Sequence, residues 1–512
     1  VDRSLRPLPQ GRLTELAPHS QTGHPKLGDF AASSMADAQG KWLLRENPAR
    51  PDELAGRIRR DSPADVLAAA SAAAAAQREW AALDFETRAD TLRMAFGAVE
   101  GMDALARTMA SEMGKPVGEC AGEIRFALAF AADMEGRARR LLADDVRGEG
   151  PGRRVVRRAP YGVIAAIVPW NAPIILAMTK IAPALLSGNA VLVKPSPFAP
   201  LTLSAIVAMI AAHLPPGLLR AVNGGAETGE ALIGAPEVAK VAFTGGGTVG
   251  RAVLEQASRR FIPSVMELGG NDPLIVLEDF EPTTARMEAL VWASFLNAGQ
   301  VCMAAKRLYV HEAVADRFVD AYVETARRLL HMGDPLDPRT NIGPVISAQA
   351  QGRISRVAAQ ARCDGGMVVP LLNDFSDYPE QGYFVAPQLV TGLTDDAELV
   401  RDEQFGPIVP VVTWRDEADV HRWAATGDCL SASVWSSDAE RAWDLAASLP
   451  AGLCLVNAHN RSGFSFDLPF GGSGPSGFGR EYGDEGLLEY SMPKALHQPA
   501  TGSVASAYPG KS

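Results

Sequence analysis

Apolar positions follow two textures along this chain. From about residue 62 to 142 they recur at helical spacing. Ser62-Pro-Ala-Asp65 opens the first helix, with Ser62 as N-cap, proline at the first helical position and an acid three residues on. The alanine-rich run from Ala68 to Ala76 continues it and reads as a helix packed closely on a neighbour. From about Val155, short β-branched runs alternate with helical stretches. Val163–Val168, Ala190–Lys194 and Val238–Phe243 read as strands; Ile174–Leu186, Leu201–Leu214 and Val249–Ser258 read as helices. The strands are apolar on both faces, as in a parallel sheet covered by helices. The fold class is therefore α/β. A second α/β region is expected from about 276 to 482, and Tyr490–Leu496 as a short closing strand. Asn47-Pro-Ala-Arg-Pro-Asp52 marks a turn between two short strands. Residues 1–30 lack periodicity and read as a tail, as does the Pro/Gly/Ser-rich end at 502–512. The chain shows no internal repeat.

Composition narrows the function. A chain of 512 residues exceeds one ordinary core, so two or three domains are expected. The net charge of −11 argues against nucleic acid or an anionic membrane as partner. The short basic runs 57–60 and 153–158 read as solvated or interface positions. The most apolar stretch, Val163 to Val193, is interrupted by Pro169, Pro173, Lys180, Pro183 and Asn189, so no membrane helix is expected there. The N-terminus has no apolar core of a secretory signal. Five widely spaced cysteines without C-x-x-C fit a reducing cytoplasm. The eight histidines are scattered, and no metal is expected.

Three segments carry candidate chemistry. Cys302 lies in Asn297-Ala-Gly-Gln-Val-Cys-Met-Ala-Ala-Lys-Arg307, Glu267 in Met266-Glu-Leu-Gly-Gly270, and Asn171 in Pro169-Trp-Asn-Ala-Pro173. They offer a thiol, a carboxylate base and an amide donor for an oxyanion. Each also has an inert reading: a buried thiol, a turn acid, a turn amide. Phe243-Thr-Gly-Gly-Gly-Thr-Val-Gly250 reads as strand, glycine turn and helix start, where Gly245 and Gly250 would let a pyrophosphate approach. A structural turn explains it equally well. Lys194 ends a strand, where open α/β sheets bind ligands.

The ordered combination of these segments with Glu403-Gln-Phe-Gly-Pro407 and Pro469-Phe-Gly-Gly472 resembles the aldehyde dehydrogenase superfamily from about Trp42 to Leu496. Glu112-Met-Gly-Lys115, Gly333-Asp-Pro335 and Asn341-Ile-Gly-Pro344 fit as well. The resemblance implies a Rossmann-type cofactor domain at 31–140 and 161–275, a catalytic domain at 276–482, and a small β oligomerisation extension at 141–160 and 483–501. It implies oxidation of a small-molecule aldehyde to the acid with NAD or NADP, by a homodimer or homotetramer. Cys302 would form a thiohemiacetal and then a thioester, Asn171 would hold the oxyanion, and Glu267 would activate water. Lys194 would hold the adenosine ribose and Glu403 the nicotinamide ribose. Trp170, Gly225, Phe243, Gly245, Gly250, Leu268 and Phe405 would line the cofactor cleft. Ile174, Ile175, Met178, Val301, Met303, Phe464 and Phe466 would form an apolar substrate funnel, with Arg461 able to grip a distal carboxylate.

Departures from the family pattern matter too. Pro197 stands where NAD-specific members carry a glutamate that repels the 2′-phosphate of NADP, so NAD is only slightly favoured. Gly246 and Gly247 replace a common Ser/Thr pair, and Ser473-Gly-Pro-Ser476 replaces a lysine-containing turn. Acyl-CoA-forming relatives typically lack the Glu267 base, which disfavours that reaction. A cofactor-binding protein without catalysis is disfavoured by the presence of all three candidate groups.

Overall fold

The computed structural model describes residues 40–373, 379, 381–424 and 429–499. The expected tails at 1–30 and 502–512 lie outside them. Trp42–Asn47 and Arg50–Arg59 form an antiparallel hairpin across the expected turn. Helix Pro63–Ala82 starts as the sequence predicts. Ser62 and Asp65 form a reciprocal capping box, which contributes about 1 kcal/mol. Its alanines Ala69, Ala70 and Ala73 are buried, so the small side chains permit close packing.

Five parallel strands and one antiparallel strand make the first sheet. Their order is Gly477–Phe478, Ser264–Glu267, Val238–Thr244, Val163–Ile167, Ala190–Lys194, Leu219–Ala221. Val163–Ile167 and Ala190–Lys194 are buried along their whole length, as continuous apolar strands require. The chain leaves the central strand Val163–Ile167 toward one edge and later returns to its other side with Val238–Thr244. This reversal opens a crevice at the carboxyl ends of those two central strands. The Trp170-Asn171 turn and the Gly245-Gly246 turn emerge there.

The second sheet has the order Met367–Pro370, Gln388–Thr391, Ile408–Trp414, Arg307–His311, Pro273–Val276, Ser431–Trp435, Leu453–Val456. Its strands are parallel except the first. Pro273–Val276 straddles the 275/276 division drawn from sequence and lies wholly in this sheet. Leu268 to Asp272 makes the first, five-residue connection between the two sheets. The carboxyl edge of the first sheet therefore faces the amino edge of the second.

Asp145–Arg147, Arg154–Pro160 and Ser491–His497 form a separate antiparallel sheet. Its register puts Val146, Met492 and Leu496 on one face, and all three are exposed. Helix Gly483–Leu488 packs instead on helices Val117–Leu141 and Pro173–Leu186.

Near its end the chain returns to the first sheet through Gly477, which pairs with Glu267. Gly477 has φ +114, and a β-carbon there would overlap the Met266 carbonyl oxygen. This close approach brings Pro469–Ser476 against Glu267. Gly477→Ala should lower stability by about 2 kcal/mol or more, from backbone strain and displaced pairing. Thermal unfolding checks it; an unchanged melting temperature would reject the role.

Candidate active site

The Cys302 loop begins where helix Thr284–Phe295 ends. Asn297, Ala298 and Gly299 are consecutive left-handed residues, at φ 51, 52 and 71. Each non-glycine in that conformation costs about 1–2 kcal/mol. Surrounding hydrogen bonds enforce it. Asn297 Nδ2 donates to the Asn171 carbonyl at 3.2 Å and to the Gln300 carbonyl at 3.3 Å. Gln300 Nε2 donates to the Asn297 carbonyl, and its Oε1 accepts the Ile346 N–H at 2.9 Å. Gly299 is required because the Gly406 carbonyl occupies the space of a side chain.

The loop places Cys302, half-buried, in the wall of a cleft. Asn171 lines the same cleft. One Asn171 Nδ2 proton goes to the Gln300 carbonyl at 3.0 Å, which leaves the second for a developing oxyanion. Burial pushes the Cys302 thiol up to about 12. Lys306 opposes that shift, while Asp272, Glu403 and Glu267 add to it. The resting thiol is therefore protonated at neutral pH.

Glu267 does not line the cleft. Its carboxyl is buried without a hydrogen-bond partner and lies close against Gly471. Burial, then the nearby Glu481, holds it well above the usual carboxylate range. Beside it runs a network that sequence reading missed. Lys180 Nζ, fully buried, pairs with Glu481 and donates to Thr244 Oγ1 at 2.7 Å. Thr179 Oγ1 donates to Glu481 Oε2 at 3.0 Å. The network ties Glu481 to Thr244, at the strand end that carries the glycine turn.

Five of the eight expected substrate residues line the cleft: Ile175, Val301, Met303, Arg461 and Phe464. Ile174 and Met178 do not, because they lie on the core-facing side of helix Pro173–Leu186. Phe466 forms a second layer, packing on Phe126, Phe130 and Tyr482. His459 is buried, donating or accepting at Ser433 Oγ at 2.7 Å, and does not face substrate.

The cleft also contains Lys115, Glu119 and Glu123, which sequence reading did not place there. Glu119 and Glu123 are four apart on helix Val117–Leu141, hence on one face; that spacing was the available signal. Lys115 Nζ pairs with Glu123 Oε2 at 2.5 Å and donates to the Asn171 carbonyl at 3.2 Å. Glu123 Oε1 accepts the Ile174 N–H at 2.8 Å. Glu119 accepts the Asn297 N–H at 3.4 Å with one oxygen, and its other oxygen is buried without a partner. Burial raises Glu119 to about 7, with Lys115 and Arg461 opposing.

The expected cofactor residues gather around the crevice of the first sheet. Gly225 and Gly246 are the N-caps of helices Ala226–Gly234 and Gly247–Ser258, and neither helix has a side-chain cap. Nothing crowds either glycine, so their N-terminal amides suit phosphate oxygens. Gly245 and Gly250 have a packing reason as well. The Phe243 ring lies against both, and Leu268 fills the space beside Gly250. Lys194 is buried along Gly229, donates to the Pro195 carbonyl at 3.2 Å, and is lowered by burial to about 8. Trp170 and Phe405 meet edge to face at 5.7 Å. Phe405 is itself left-handed, at φ 45. Glu403 packs on Gly269 and pairs with Lys306 at 2.8 Å. Free helix amides, a buried cation and a carboxylate in one crevice fit a dinucleotide.

The chain is similar to known proteins over most of its length. The aldehyde dehydrogenase family profile matches residues 35–496. A betaine aldehyde dehydrogenase of Mesorhizobium japonicum is 35% identical over 92% of this chain and 96% of its own. An NADP-dependent succinate-semialdehyde dehydrogenase of Escherichia coli is 35% identical over 88% of this chain and 95% of its own. The crystal structure of an NAD-dependent aldehyde dehydrogenase from Sinorhizobium meliloti superimposes with a TM-score of 0.84, at 30% identity, over 90% of this chain and 92% of that one. The chain belongs to the aldehyde dehydrogenase family. It is an oxidoreductase that oxidises an aldehyde with NAD or NADP.

Proposed function

We propose that Cys302 carries the reaction as a covalent nucleophile and that the product is a free carboxylic acid. The observation that carries this reading is the joint placement of Cys302 and the unspent Asn171 amide proton in one largely apolar cleft. The ionised thiol attacks the aldehyde carbon. The oxyanion formed would accept hydrogen bonds from the second Asn171 Nδ2–H and from the Cys302 backbone N–H. Bound nicotinamide supplies the acceptor for the hydride that leaves the substrate carbon. Trp170, Phe405 and Glu403 would hold the nicotinamide end, Lys194 the adenosine ribose, and the amides after Gly225 and Gly246 the phosphates. The remaining thioester is hydrolysed by water that Glu267 deprotonates after swinging from Gly471 toward the cleft.

The apolar and aromatic wall formed by Phe126, Ile175, Val301, Met303 and Phe464 favours a medium aliphatic or aromatic aldehyde. A second reading, an aldehyde with a charged tail, is favoured by the unpartnered Glu119 oxygen and by Arg461 in the same cleft. Betaine aldehyde carries a quaternary ammonium and succinate semialdehyde a carboxylate, so the relatives span both charges. With Pro197 in place of a repelling carboxylate, both cofactors are used and NAD is slightly preferred.

The exposed row of Val146, Met492 and Leu496 supports burial against a second copy, as a homodimer or homotetramer. Sedimentation equilibrium showing a monomer would reject it. Five widely spaced cysteines without C-x-x-C support a cytoplasmic setting; activity confined to a secreted fraction would count against it.

A base works only when ionised, and the Glu267 carboxyl is held high by burial. Turnover should therefore rise with pH through the neutral range. Glu267→Gln should give a burst of about one reduced cofactor per site and then lose steady turnover by about 100-fold or more. Full steady turnover, or acyl-CoA as main product when CoA is added, would sink the hydrolytic role.

Activity at 340 nm over hexanal, benzaldehyde, succinate semialdehyde and betaine aldehyde, with each cofactor, ranks the substrate readings. kcat/KM for NAD and NADP should agree within about tenfold, or about 1.4 kcal/mol. Arg461→Ala should raise KM selectively for the acidic aldehyde if the charged-tail reading holds; equal effects on all four reject it.

A further inference from the structure

Lys306 is a buried cation near the thiol that has no part in the reaction above. Lys306 follows Cys302 by one helical turn of sequence and is almost wholly buried. Its ammonium has three protons and three oxygen partners. Nζ donates to the Gly270 carbonyl at 2.5 Å and to the Cys302 carbonyl, and it pairs with Glu403 Oε1 at 2.8 Å. These oxygens come from three separate segments: the link between the sheets, the nucleophile loop, and the loop before strand Ile408–Trp414. One ammonium thus fixes the nucleophile relative to the carboxylate expected to hold the nicotinamide ribose.

The charges around the thiol make this geometry electrostatic as well as mechanical. Asp272, Glu403 and Glu267 all disfavour the thiolate, and the Tyr482 hydroxyl lies in the same wall. Lys306 favours the thiolate. His459, buried beneath the loop, is pushed down to about 4, first by burial and then by Lys306, and so stays neutral. Asp272 is committed elsewhere, accepting the Leu430 and Ser431 N–H groups at 2.8 and 2.9 Å. In the resting protein Glu403 offsets the field of Lys306.

We propose that Lys306 is a positioning residue that couples occupancy of the ribose site at Glu403 to the reactivity of Cys302. Ribose hydroxyls donating to Glu403 draw its negative charge away from Lys306. The ammonium then acts on the thiol with less compensation, and the thiol loses its proton to water at lower pH. The proposal rests on the reading of Cys302 as nucleophile and Glu403 as ribose ligand.

The test is the pH profile of Cys302 alkylation by iodoacetamide, located by mass spectrometry, with and without NAD and without aldehyde. Thiolate displaces iodide, so the profile midpoint reports the thiol proton independently of access. NAD should lower the wild-type midpoint. Lys306→Met should raise it by about one unit, a tenfold slower reaction at neutral pH, and abolish the NAD effect. Glu403→Gln should lower the midpoint without NAD, and the double variant should return toward wild type. A merely structural lysine would not give these opposite signs. An unmoved midpoint in Glu403→Gln, or an undiminished NAD shift in Lys306→Met, overturns the coupling. If Lys306→Met does not fold, Glu403→Gln decides alone. Absent wild-type aldehyde oxidation, or label elsewhere than Cys302, rejects the underlying reading; wild-type activity with unmoved midpoints rejects only the coupling.

Discussion

Asp272 is the buried carboxylate on which the relation between the two sheets depends. Its oxygens accept the Leu430 N–H, the Ser431 N–H and the Ser431 hydroxyl. Its own carbonyl accepts the N–H groups of Lys306 and Arg307. One residue therefore fixes the starts of strands Arg307–His311 and Ser431–Trp435. It does so at the end of the five-residue link from the first sheet. Burial raises Asp272 to about 6, and the hydrogen bonds and Lys306 counter that shift. Removing these bonds would leave a charge in the interior with a penalty of several kcal/mol. Gly269 and Gly270 precede it because Glu403 and the Leu430 amide press on the link from either side.

This clamp explains how the site is divided. The groups expected to hold cofactor follow strands of the first sheet: Trp170, Lys194, Gly225 and Gly245. Cys302 and Glu403 precede strands of the second. The site is the gap between a carboxyl edge and an amino edge, spanned by a link with no slack. The left-handed residues Asn297, Ala298, Phe405, Asn460 and Tyr482 gather around that gap. Strain of this kind persists only where surrounding contacts over-determine the backbone. Burial pushes the Cys302 thiol up to about 12 and raises the Glu267 carboxyl well above the usual carboxylate range.

Much of the fold was legible because its strands are continuous apolar runs and its helices have strong starts. Val163–Ile167, Ala190–Lys194 and the Ser62 capping box appear where the pattern placed them. The meeting of Cys302 and Asn171 in one cleft was legible through short segments whose residue types are uncommon together. The pocket wall was less so. Ile174 and Met178 share a helix with Ile175, and hydrophobicity alone does not distinguish a core face from a cleft face. Phe466 is aromatic and adjacent, yet it stacks on Tyr482, which itself lines the cleft.

The sequence by itself determined the elements, the family and the reaction class, because these follow from local periodicity and from motifs read along the chain. Tertiary structure alone decided which charges meet. Lys306 with Glu403, Lys180 with Glu481, and Glu119 with Arg461 are brought together across segments far apart in sequence. The physical reason is that desolvation and charge pairing depend on what surrounds a group in space, and no spacing along a single strand or helix encodes that.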